Sequence, residues 1–112
     1  MKKISGLLLG LIATASSGVF AEPNLDAALK HAEAALAEGH KNNAAKLAVN
    51  AKGALDSALT ASIAAKSISK NHINAASEEL QKAIDDVTTL NQVTAATKAV
   101  EEAVAHLKQA KK

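Results

Sequence analysis

The chain has 112 residues, with 13 Lys, no Arg and 11 acidic residues, for a formal charge of +2. It has no Cys, Trp or Tyr, and its one Met and one Phe are Met1 and Phe20. This composition excludes thiolate chemistry, disulfides and covalently attached haem. It also provides no Arg fork or aromatic platform for nucleic acid.

The first 21 residues read as a removable secretion leader. Lys2 and Lys3 give a positive start, Leu7 to Ala15 an apolar run, and in Val19-Phe20-Ala21 the small Val19 and Ala21 suit a cleavage site. The apolar run is shorter than the roughly 20 residues that span a bilayer, and no Cys follows it to take a lipid. Cleavage after Ala21 places the mature chain in the periplasm with no membrane span. Without Lys2 and Lys3, 11 Lys face 11 acids in residues 22–112, one domain with no net charge. With Met1 gone, Met/His-ligated haem is excluded as well.

The remainder is rich in Ala, the best helix former, and its large apolar residues are all Leu, Ile and Val. No stretch alternates as a strand does, so the expected class is all-α. A first helix is expected at about 25–38, capped by Asn24. Leu25, Leu29, Ala32 and Leu36 form its stripe, and Gly39 is expected to end it in a left-handed conformation. A second, at about 43–66, starts after Asn42-Asn43. Its stripe is Leu47, Ala48, Ala51, Leu55, Leu59 and Ile63, with Gly53 as a weak point. Ser67 to Asn71 reads as a polar connection.

A third helix is expected at about 72–88, with Ile73, Ala76, Leu80, Ala83, Val87 and Leu90 spaced three and four alternately. A fourth, at about 92–109, repeats that spacing with Val93, Ala96, Val100, Ala103, Leu107 and Ala110. Ile84 and Val104 widen the two stripes to the breadth a bundle core requires. Short connections make sequential helices antiparallel, which gives an up-down four-helix bundle, monomeric or weakly dimeric.

Only His31, His40, His72 and His106 can supply imidazole to a transition metal. His31 and Glu38 share a face but lie about 10 Å apart along the helix, too far for one ion. His40 is expected in the loop after Gly39. Glu102 and His106 stand four residues apart on one face and can converge on one ion. Taking Ile73 and Val93 as heptad a positions, His72 and His106 are both g positions. If the third and fourth helices meet along their g sides, His72 faces His106 with Glu102 in reach; if along their e sides, the two His point apart. The acid pairs Glu78-Glu79, Asp85-Asp86 and Glu101-Glu102 read as solvated faces, because adjacent helical residues point about 100° apart. No arrangement of Ser, His and acid argues for an enzyme.

The run Leu29-Lys30-His31-Ala32-Glu33-Ala34-Ala35-Leu36-Ala37-Glu38-Gly39-His40 resembles the bacterial periplasmic small metal-binding protein family. Thr97 to Leu107 and the leader resemble it too, so the likeness covers essentially the whole mature chain. The resemblance implies a leader-bearing four-helix bundle that binds copper and other divalent metals through His at heptad-like spacing. It supports His31 and His106 as ligand positions. The family is rich in His, whereas this chain has four, and Glu38 and Lys98 stand at comparable places.

Together these readings give a non-enzymatic periplasmic protein that binds Cu(II), or else Zn(II) or Ni(II). The candidate ligands are His72, His106, Glu102, His31, His40 and Glu38. The alternative is a metal-independent interaction or stress protein that binds a protein partner through a helix face.

Overall fold

A Pro in the first turn and a carboxylate just ahead of it start the first helix. In the computed structural model, which describes residues 22–111, α1 runs Pro23–His40. Its cap is Glu22 rather than Asn24: the Glu22 carboxylate accepts from the backbone N–H of Asn24 and Leu25. An acidic side chain here also suits the positive end of the helix dipole. The leader expected at 1–21 lies outside the described residues.

Gly39 does not end α1, and His40 is helical rather than in a loop. The left-handed residue is Asn42, with φ 60°, a conformation Asn tolerates better than most residues. The chain then turns within three residues into α2, Ala44–Ala64, capped by Asn43 Oδ1, which accepts from Lys46 N at 3.1 Å. Gly39 instead answers a packing need. A Cβ there would stand 3.0 Å from Leu47 Cδ1 and closer still to Thr97 Oγ1.

The polar segment Ser67 to Asn71 is helical, not a connection. Only Ala65 and Lys66 separate α2 from α3, Ser67–Thr88. The apolar pattern missed this turn because most of it faces solvent, with Ile68 70% exposed. One of its polar residues anchors it: Ser69 Oγ donates to the Ala110 carbonyl at 2.9 Å, tying the start of α3 to the end of α4. A turn through Asn91, φ 52°, leads to α4, Val93–Ala110.

Each helix packs chiefly on its two neighbours, α1 with α2 and α4, and α3 with α2 and α4. The all-α up-down bundle that the spacing implies is therefore the fold. The large buried side chains are few: Leu25, Leu47, Ile73, Leu80, Val100 and Leu107 are all fully buried. Much of the rest is Ala, which lets the helices approach closely.

α2 departs from expectation. Its buried line is Leu47, Ala48, Ala51, Ala54, Ala58 and Ala61. Leu59 and Ile63, expected in the core, are 49% and 81% exposed, and Leu90 also faces solvent. Close packing of α2 selected its smallest side chains, against the order that hydrophobicity would give. Gly53 serves a similar purpose on another side of α2: the His31 imidazole lies over it, 3.3 Å from where a Cβ would be.

Candidate metal centre

Antiparallel α3 and α4 bring the first turns of one beside the last turns of the other. His72 lies in the second turn of α3 and His106 in the last turns of α4, both half-buried. Their ring centroids are 5.9 Å apart, with planes inclined at 33°. The helices thus meet along their g sides, one of the two packings the sequence left open. Two imidazoles on one ion at about 2.0–2.1 Å from each nitrogen have centroids roughly 4.5–6.4 Å apart, depending on the N–metal–N angle. The observed separation falls in that range.

Three further contacts hold this end of the bundle together. Besides the Ser69–Ala110 bond, Lys111 Nζ pairs with Asp26 at 2.8 Å, and Lys108 Nζ approaches Glu33 at 3.9 Å. The two ion pairs are solvent-exposed and contribute little to stability, but one joins α1 to α4 and the other joins α1 to the residue that follows α4.

Glu102, one turn before His106, is exposed, as its position implied. The residue that the sequence reading missed is Glu79, half-buried on α3. Burial pushes its carboxyl above the ordinary value of 4.5, as do the nearby charge of Glu102 and a hydrogen bond shared with it. Lys82 and His106 pull it back down. Glu79 therefore stands within reach of both Glu102 and His106. The signal was present: Glu79 follows His72 by one heptad and is also a g residue, on the side that meets α4. Reading Glu78-Glu79 as one solvated face hid it.

Glu79 and Glu102 share a groove of about 260 Å³ with Lys82, Lys98, Ala95 and Ala99. Lys82 also pairs with the buried carboxylate of Asp86 at 3.2 Å. Among the described residues, no three His, Cys, Asp or Glu side chains already stand close enough together to hold one ion. His72, His106, Glu102 and Glu79 are neighbours across one helix seam, and side-chain rotation would have to bring their donor atoms together.

The raised Glu79 carboxyl has a consequence for stability. The fold favours its protonated form, so its stabilising contribution is fully present below 4.5 and is lost as pH rises through the shifted value. Glu79→Gln, neutral at every pH, is expected to melt above the wild type at neutral pH. The gap should close as pH falls below 4.5. Melting curves followed by circular dichroism across that range check it, and a gap that does not change with pH contradicts the assignment.

The other candidate residues are not drawn in. His31 is exposed over Gly53. His40 is exposed at the opposite end of the bundle, lining a groove of about 600 Å³ with Thr94, Thr97, Lys98 and Glu101. Glu38 is half-buried near the end of α1, two turns from His31. A further groove of about 730 Å³ also lies at the His40 end, lined by residues such as Asn42, Gln92 and Thr94 and by no His, Asp or Glu. It offers nothing for a metal.

Fold and cluster together define a small helical bundle with imidazole and carboxylate side chains gathered across one helix seam. The chain matches the small metal-binding protein family over residues 1–110, and it belongs to that family. No curated protein matches it. The family is one of metal-binding proteins, so metal ions are partners of the class. No described helix is long and apolar enough to cross a membrane.

Proposed function

We propose that this protein binds a divalent transition metal in the periplasm without catalysing a reaction, and that its principal site is the His72/His106 seam. The observation that carries the reading is the 5.9 Å separation of the two imidazoles on facing helices. Glu102 and Glu79 are the neighbouring carboxylates that side-chain rotation would have to bring in to complete the donor set. Cu(II) is the preferred ion, because it leads the divalent series at nitrogen and oxygen donors, with Zn(II) and Ni(II) behind. The donors must turn to converge, and Lys82 and Lys98 lie beside the carboxylates, so binding is weak and the sites few. The periplasmic location rests on the leader-like residues 1–21, which the family match includes.

Calorimetric titration of Cu(II), Zn(II) and Ni(II) into residues 22–112, without a tag, tests this beside His72→Ala/His106→Ala. Saturable binding that is lost in the variant, and that weakens as pH falls because protons compete with the metal for its ligands, is the expected result. Binding that survives moves the site to His31 or His40. No binding above a buffer blank removes the metal reading. It would leave the second one, an interaction protein, which the exposed Leu59 and Ile63 of α2 favour.

A further inference from the structure

The outer face of α2 carries a second ladder that the bundle does not use. Ala45, Val49, Lys52, Asp56, Leu59 and Ile63 are spaced four, three, four, three, four, and all six are exposed. Val49 is 69% exposed and Ile63 81%, so neither is covered by the rest of the chain. That spacing is a heptad seam, the pattern that packs one helix against another. An exposed ladder of this kind, apolar at both ends and charged only at its centre, marks an interaction surface.

The order of chemistry along the seam identifies the partner. It reads apolar, apolar, positive, negative, apolar, apolar. Reversed end to end, with charges exchanged, it is the same sequence of types. We propose that a second copy of this chain docks here, α2 against α2, antiparallel about a two-fold axis at the level of Ala54. Ala45 then faces Ile63 of the partner subunit, Val49 faces Leu59 of the partner subunit, and Lys52 faces Asp56 of the partner subunit. Each pair occurs twice, as an isologous interface requires. Antiparallel seams place a positions opposite d positions, and the 4-3 spacing satisfies that at all six. Neither Lys52 nor Asp56 takes part in an ion pair among the described residues, so both are available across the axis. A partner of unrelated sequence would require no such symmetry.

A single pair of 21-residue helices forms an interface at the low end of stable sizes, below about 1,200 Å², so the dimer is reversible and concentration-dependent. It does not involve the His72/His106 seam and does not depend on metal.

Sedimentation equilibrium on residues 22–112, with chelator present and from about 10 µM to 1 mM, tests it. The expected result is a rise from monomer mass to dimer mass. Lys52→Glu sets like charges opposite each other and is expected to weaken the dimer about tenfold or more. Lys52→Glu/Asp56→Lys restores opposite charges across the axis and is expected to recover it. Helical circular dichroism confirms that each variant is folded. Monomers at every concentration overturn the proposal and leave the face to a protein of different sequence. A dimer indifferent to Lys52→Glu, or not recovered by the double exchange, overturns this docking as well.

Discussion

Cu(II) at a hundred times its dissociation constant is expected to raise the melting temperature of residues 22–112 by roughly 10–20 °C, and that of His72→Ala/His106→Ala hardly at all. A ligand that binds only the folded chain at that excess stabilises it by about 2.7 kcal/mol. In a domain of this size each kcal/mol moves the midpoint by about 4–8 °C. The shift should be visible because only six large side chains are fully buried among the described residues, so the bundle has little stability in reserve. The proposed site would also join the first turns of α3 to the last of α4, and an ion there would oppose fraying at both helix ends. The control is His31→Ala/His40→Ala, expected to keep the full shift, since these residues lie away from the seam. If the control loses the shift and the His72/His106 variant keeps it, the proposed site is wrong.

Gly39→Ala is expected to destabilise the bundle, against the usual effect of replacing a helical Gly. Helix propensity favours Ala by about 1 kcal/mol in a helix interior, and by less at the next-to-last position of α1. Against that, the new methyl would meet Thr97 of α4 and stand 3.0 Å from Leu47 Cδ1. Thr97 cannot easily turn away, since its hydroxyl donates to the Val93 carbonyl at 2.7 Å. Overpacking of this kind costs about 1–3 kcal/mol, so the packing loss exceeds the propensity gain. The melting temperature should fall by several degrees, at about 4–8 °C per kcal/mol. Thr97→Ala in the same chain should recover part of the loss, and a double-mutant cycle measures the coupling. A Gly39→Ala variant that melts at or above the wild type would show that α1 and α4 are not so closely packed.

How far the sequence could be read varied with what each residue contacts. The ladders of α3 and α4 were legible because most of their large residues face one interior, and the rest of each helix is polar. α2 was legible only in its first half, where Leu47, Ala48 and Ala51 are buried; further on Leu59 and Ile63 point outward and Ala54, Ala58 and Ala61 inward, and a rule that ranks residues by hydrophobicity inverts that half. The first turn of α3 was missed because it is held by Ser69 bonding to the end of α4, a long-range contact with no local pattern. Glu79 carried a heptad position that could have been used, but its value depends on which sides of α3 and α4 meet. That choice also decides whether His72 faces His106, and periodicity alone leaves it open.

By itself, the sequence determined that this is an all-helical, antiparallel bundle with imidazole and carboxylate as its only metal donors. Composition limits the available chemistry, and spacing limits which residues share a face. Only the tertiary structure decided that α3 and α4 meet along their g sides, that Glu79 joins Glu102 beside the two His, and that α2 turns Leu59 and Ile63 to solvent. The physical reason is close packing. Ala and Gly have almost no side chain to signal where they belong, yet their small size sets how near two helices come and which faces they share.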